Sequence, residues 1–249
     1  MSAATRARSQ SRARQAAVCD VAEPWEHGTI LRATRHPHYF DFNLVRVEED
    51  PRACVDELVA VADRALEGLA HRRLDFELAE AAEPLRGGFE ARGFKSVRLL
   101  MMLHATGRAP EAAVPVDEVD YDAVHDLRVA WHEEDFPGQD ASAYHGEARE
   151  VAMRTGVRVL AVRERGKPVA FAELETRRDA AEITSVYVHP GRRGLGLGTA
   201  VTCAAIEAAG DAGDLWITAD DEGRAKHLYA RLGFAPVWTL VGFTRWPKP

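Results

Sequence analysis

The run EITSVYVHPGRRGLGLGTAVTCAAIE, from Glu182 to Glu207, constrains this chain more than any other stretch. A β-rich segment, Ile183 to Val188, stops at Pro190; two arginines, three alternate glycines and an alanine-rich helix come after it. Gly194, Gly196 and Gly198 lack a Cβ, so their N–H groups can approach an anion closely and the backbone can take positive φ. A helix beginning near Thr199 aims unpaired N–H groups and its positive dipole end at the same place. Arg192 and Arg193 add charge suited to phosphate oxygens. The stretch reads as a phosphate cradle rather than a plain surface turn, because three glycines are more backbone freedom than a turn needs.

Three phosphate-binding patterns compete. A P-loop needs Lys followed by Ser or Thr after its last glycine, and Gly198 is followed by Thr199-Ala200. A dinucleotide fingerprint needs a third glycine where Val201 stands and an acidic residue closing a second strand. The remaining pattern, Val188-x-Pro190-x-x-Arg193-Gly194-x-Gly196-x-Gly198, closely resembles the acyl-coenzyme A signature of the GCN5-related N-acetyltransferase (GNAT) family, Gln/Arg-x-x-Gly-x-Gly/Ala. A second block, LWITADDEGRAKHLYARLGF at 215–234, is similar to the family's closing motif, with Tyr229 four residues before Gly233-Phe234. It departs at Glu222, where many members carry asparagine.

The resemblance implies the GNAT acyl-CoA N-acyltransferase fold, an α/β chain with a mixed α+β sheet, and acetyl-CoA as co-substrate without a metal. Phosphate contacts then fall on the main chain of Arg193, Gly194, Leu195, Gly196, Leu197, Gly198 and Thr199. Val186, Tyr187 and Val188 would pair with the pantetheine arm as if it were an added strand, with the Val188 N–H facing the developing oxyanion. Tyr229 would protonate the leaving thiolate. An alkyl ammonium, with pKa near ~10, must lose a proton before it attacks. Glu182 is the first candidate base, since Ala181-Glu182-Ile183 matches the context of the base in the histone-acetylating branch. Glu173, on the preceding strand, is the second.

Composition narrows the class. At 249 residues, 46% hydrophobic and 29% charged, the chain suits one large soluble domain or two small ones. No apolar run approaches the ~18 residues of a membrane span. Cys19, Cys54 and Cys203 are odd in number and far apart, so they suggest neither a disulfide framework nor a metal site, and a reducing cytoplasm is the simplest location. Arg6, Arg8, Arg12 and Arg14 against Asp20 give the first twenty residues a net of +3, leaving −10 on the rest of a chain whose total is −7. The leader has no apolar core and reads as a disordered basic tail, 1–20. The acidic body argues against a nucleic-acid partner and mildly favours cationic amines.

Residues 106–118, with Gly107, Pro110 and Pro115 among alanines and acids, read as a linker. Behind it, 119–249 carries the order α, α, β, β, β, α, β, α, β of a complete GNAT domain. Ahead of it, 21–105 gives a strand at 40–47, helix at 51–69, strand at 73–76, helix at 78–91, Gly93-Phe94 and strand at 97–104. FEARGFKSVRLL at 89–100 echoes YARLGFAPVWTL at 229–240. The glycine loop is replaced by Arg46-Val47-Glu48-Glu49-Asp50-Pro51, whose acids would repel a pyrophosphate. The front half therefore resembles a degenerate GNAT half-domain in tandem with a catalytic one.

These readings converge on an N-acetyltransferase for a small-molecule or peptide amine, acting as monomer or homodimer. A CoA-binding sensor without catalysis, a longer acyl donor and a non-amine acceptor stay open. So does the role of Trp131, His132, Phe136, Tyr144 and His145, which suit an acceptor pocket or packing.

Overall fold

The computed structural model describes residues 1–105 and 110–247. The chain divides into two compact units, one formed by Met1–Met101, Ala219–Arg224 and Pro236–Pro249, the other by Met102–Thr218 and Ala225–Ala235.

In the first unit the opening residues are not a disordered tail. Helix α1 spans Ala3–Val18, capped by Ser2, whose hydroxyl accepts the Thr5 N–H. Its alanines favour the helix, and Arg12 is compensated. Arg12 donates to Glu77 at 2.8 and 2.6 Å and pairs with Glu48 at 2.8 Å, while Gln15 accepts from Arg46 at 2.7 Å. A basic composition looks unstructured only while its counter-charges, 36 and 65 residues from Arg12 in sequence, are out of sight.

A hairpin of β1 (Val21–Trp25) and β2 (Gly28–Arg32) comes next, and β3 is Leu44–Val47. The strand expected from Phe40 starts later, because Asn43 binds the Ala33 N–H and the carbonyls of His36 and Tyr39 and holds Phe40–Phe42 in a 3₁₀ turn. Helix α2 (Val55–Ala65) begins four residues after Pro51, where the Glu57 carboxylate accepts the Cys54 N–H. Strand β4 is Arg72–Phe76. The single helix expected at 78–91 is broken into α3 (Ala79–Ala82), a 3₁₀ turn at Glu83–Leu85 and α4 (Arg86–Glu90). Pro84 cannot donate, and Gly87-Gly88 lowers the helix propensity of the next turn. Strand β5 is Lys95–His104.

The second unit takes up β5 from Met102 on, and its next strand starts inside the expected linker. Residues 106–109 lie outside the described residues, and Asp117–Val119 forms β6, antiparallel to β7. A 3₁₀ turn at Tyr121–Val124 leads into α5 (His125–Asp135), followed by α6 (Ser142–Thr155). Strands β7 (Arg158–Glu164), β8 (Lys167–Thr176) and β9 (Ala180–Val188) form an antiparallel meander. Helix α7 is Leu197–Ala209, β10 is Asp214–Asp220 and α8 is Ala225–Arg231. The strand order in this unit is β10-β9-β8-β7-β6, with β10 parallel to β9.

The last strand, β11 (Phe234–Arg245), returns to the first unit. It pairs antiparallel with β4, Val241 opposite Phe76 and Phe243 opposite Leu74, in the order β1-β2-β3-β4-β11-β5. Phe243 stacks on Phe89 at 4.2 Å in a core shared with Val45, Val47, Leu58 and Phe76. Sequence-contiguous domains at 21–105 and 119–249 therefore differ from the compact units, because strand pairing joins segments by register and buried surface, whatever their separation in the chain. Among the described residues no helix is long and apolar enough to cross a membrane.

Candidate active site

The site lies in the second unit, where β9 runs into α7. Gly194 (φ +80°) and Gly196 (φ +79°) hold left-handed backbone, and Gly196 caps α7. Gly198 differs from this expectation: it lies inside the helix, and a Cβ there would meet Leu228 and Val188 at an ordinary 3.5 Å. The turn before the loop is closed by His189, whose Nδ1 accepts the Gly191 N–H, and by Arg192 N–H to His189 O at 2.8 Å. From Gly194 through Thr199, six consecutive main-chain N–H groups have no acceptor among the described residues. Residues 191–196 are exposed. The loop thus gathers unpaired donors at a helix start, the arrangement that binds an anion.

The strands beside it open. β10 pairs with β9 only from Asp214↔Ala180 to Ile217↔Ile183, so on that edge residues 184–188 of β9 have no partner strand among the described residues. On the other edge Ala172, Phe171 and Ala170 of β8 pair with Val186, Tyr187 and Val188. A register shift leaves Thr184 without a cross-strand partner between Leu174↔Ile183 and Glu173↔Ser185. Such a bulge bends the strand and ends regular pairing.

Both candidate carboxylates flank that bulge. Glu173 pairs with Ser185 just after it and Glu182 with Glu175 just before it; Glu173 and Glu175 are two apart on β8, so all three side chains share one face. Glu182 is buried, 5% exposed. Glu173 accepts from Arg128 Nε at 2.9 Å and from the Ser185 hydroxyl at 2.9 Å, so its oxygens are already engaged.

Tyr229 sits on α8, buried, with its ring 6.3 Å from Phe234 in an edge contact. Burial pushes its hydroxyl up to about 12, so it keeps its proton throughout the physiological range. The side chain of its neighbour Leu228 reaches the start of α7 beside Val188. The phenol is thereby carried by a helix anchored where β9 meets the glycine loop.

One constellation was not visible in the sequence. Glu134, near the end of α5, accepts both guanidinium nitrogens of Arg193 at 2.7 and 2.8 Å and the Tyr187 hydroxyl at 3.2 Å. Trp131 stacks on Tyr187 at 5.3 Å. Arg193 holds the Glu134 carboxyl below its ordinary range, and burial raises the Tyr187 hydroxyl. Of the aromatic residues expected near an acceptor, His132 and His145 border a cavity between α5 and α6, whereas Trp131 packs on Tyr187 and Phe136 and Tyr144 flank His132. Among the described residues no group of three or more His, Cys, Asp or Glu is gathered to hold a metal ion.

Comparison with known proteins agrees with this geometry. Residues 121–234 match the acetyltransferase (GNAT) family. An uncharacterized N-acetyltransferase of Methanocaldococcus jannaschii is 36% identical over 94 residues, 33% of this chain and 41% of that relative. The chain thus spans about two fifths of that relative's length. A functionally unknown conserved protein from Staphylococcus epidermidis superposes with a TM-score of 0.69 at 14% identity, covering 91% of this chain and 93% of its own. A GCN5-related N-acetyltransferase from Kribbella flavida gives 0.62 at 21% identity, covering 100% and 97%. These likenesses show a shared mixed α/β fold that extends through the front half as well. With its loop, its opened strand edge and its family match in one segment, residues 121–234 of this chain belong to the acetyltransferase (GNAT) family.

Proposed function

We propose that this protein is an acetyl-CoA-dependent N-acetyltransferase that acts on a primary amine of a small molecule or protein by direct attack in a ternary complex. The observation that carries this reading is the run of six acceptorless N–H groups from Gly194 to Thr199 beside an unpaired β9 edge. The donors suit the coenzyme's pyrophosphate, with Arg193 adjoining. The free edge of residues 184–188, which includes Val186, Tyr187 and Val188, suits the amides of its pantetheine arm. A thioester so bound is directed toward the bulge at Thr184 and hence toward Glu182 and Glu173.

Glu182 is the first candidate base and Glu173, which accepts from Arg128 and Ser185, the second. Tyr229 supplies the proton to the departing thiolate. The front half repeats the β-α-β-α-Gly-Phe-β order, but Glu48, at the position of the missing glycine loop, is spent on Arg46, Arg12 and Thr29. That half is read as a degenerate relative without coenzyme. Titration of the full protein with CoA is expected to give one site per chain, and a panel of amines, amino acids and peptides to show acceptor-dependent thiol release from acetyl-CoA. Two sites would restore coenzyme binding to the front half; no CoA binding would end the reading altogether.

Glu134 bears on coenzyme affinity as well. It neutralises Arg193 in an exposed pair of the kind worth ~0.2–1 kcal/mol. Glu134→Gln is expected to tighten CoA binding up to about fivefold, measured by calorimetry at low ionic strength. Weaker binding would instead show that the pair holds the loop in its binding shape.

A further inference from the structure

A cavity of about 310 Å³ lies wholly in the first unit, walled by α1, the turn from β4 into α3, and the first half of β11. It exists because the ladder between β4 and β11 stops early. Pairing runs from Arg245↔Arg72 to Val241↔Phe76, where β4 ends and the chain turns into α3. β11 begins at Phe234, so on that edge its residues 236–240 have no partner strand among the described residues. Trp238 reaches across the gap, and its indole Nε1–H donates to the Glu77 carbonyl at 2.9 Å. With Pro236 and Val237 it gives the cavity an apolar side.

Three charged side chains border this space, and they differ in their freedom. Glu77 is buried and already accepts two hydrogen bonds from Arg12. Arg8 and Glu80 make no hydrogen bond or ion pair among the described residues, either with each other or with any other group. Nε of Arg8 is also shielded from solvent. That donor has lost water and gained no acceptor, an unfavourable state that an anionic group in the cavity would relieve. A simple anion, however, would meet Glu80 as a like charge, and a simple cation would leave Arg8 unanswered. A ligand carrying both charges answers both.

We infer that this cavity binds a free α-amino acid with an apolar side chain. Its carboxylate lies on Arg8, its ammonium turns toward Glu80, and its side chain packs against Pro236, Val237 and Trp238. The guanidinium fork matches the two oxygens of a carboxylate. The volume is at the lower end of small-molecule sites, which span ~300–1,000 Å³, and so suits a ligand of this size. Binding here does not depend on acetyl transfer, since the glycine loop belongs to the second unit. It gives the first unit, whose own glycine loop is missing, a ligand that needs no phosphate cradle.

The full chain, without coenzyme, is titrated calorimetrically with each of the standard L-amino acids, and an apolar one is expected to bind. Its amide, which lacks the carboxylate, is expected to bind at least about tenfold more weakly, and its N-acetyl derivative, which lacks the ammonium, at least about twofold. Arg8→Gln is expected to weaken binding ~10–100-fold and Glu80→Gln about two- to fivefold, with CoA affinity unchanged in both. Neither side chain has a partner in the fold to lose, so both variants are expected to stay folded, as circular dichroism checks. The Trp238 indole N–H signal, assigned with Trp238→Phe, is expected to move when the amino acid binds. An unmoved Trp238 signal, or full affinity in the folded Arg8→Gln chain, would place the amino acid elsewhere and overturn the inference. So would an amide or N-acetyl derivative that binds as tightly as the free amino acid, a charged side chain on the tightest ligand, or no binding by any of them. The two derivatives decide the matter on the unaltered chain even if a variant fails to fold. Amino-acid binding without CoA binding would overturn the acetyl-transfer reading alone, and CoA binding without amino-acid binding this one alone.

Discussion

Gly196→Val is expected to raise the dissociation constant for acetyl-CoA by about 10²–10⁴, while the protein stays folded. Gly196 has φ +79°, and beyond its chain neighbours no atom lies within 4 Å of the place its Cβ would take, so an added Cβ meets open space. Its cost to folding is the left-handed backbone alone, about 1–2 kcal/mol. The cost to binding is larger. A β-branched residue resists this conformation and turns the N–H groups of the loop away from a common point. Losing two hydrogen bonds to a charged phosphate, each worth ~1.5–3 kcal/mol, accounts for the range. Calorimetric titration gives the affinity and a urea midpoint the stability. Normal coenzyme binding by the folded variant would remove the phosphate-cradle assignment. Gly198→Ala is the internal contrast, since that position has helical backbone and room for a Cβ; its effect on stability is expected to be slight.

Tyr229→Phe is expected to lower the single-turnover rate about 10²–10⁴-fold with little change in coenzyme affinity, the usual worth of a positioned general acid. The ring is buried against Phe234, and phenylalanine keeps that contact. Only the hydroxyl is lost, and with it a proton that burial retains to about pH 12. Steady-state turnover would understate the effect if product release is slow, so rapid-mixing measurement of thiol formation is the decisive readout. An unchanged single-turnover rate would leave Tyr229 a core aromatic and assign thiolate protonation to another donor.

What the sequence determined by itself was local. The glycine loop and its helix, the antiparallel strands on either side of Arg165-Gly166, and the Tyr229 helix ending at Gly233 all obey short-range rules. Turn residues, strand alternation and glycine conformation act within a few positions. Of the two candidate carboxylates, Glu182 was named from the family resemblance and Glu173 from its place on the preceding strand; their shared face and the bulge between them required the register of β8 and β9.

What only the tertiary structure decided depends on partners distant in sequence. The basic leader is a helix because Glu48 and Glu77 meet Arg12. β11 completes the first unit because its Val241 and Phe243 fill a core built from residues 45–94. Glu134 meets Arg193, 59 positions away, and Arg128 occupies Glu173 across 45. Charge pairing and core packing reward proximity in space and carry no signature in a local window. For that reason the glycine loop and the helix after it were legible in their residues, whereas the groups that restrain Arg193 and Glu173 appeared only once the chain was folded.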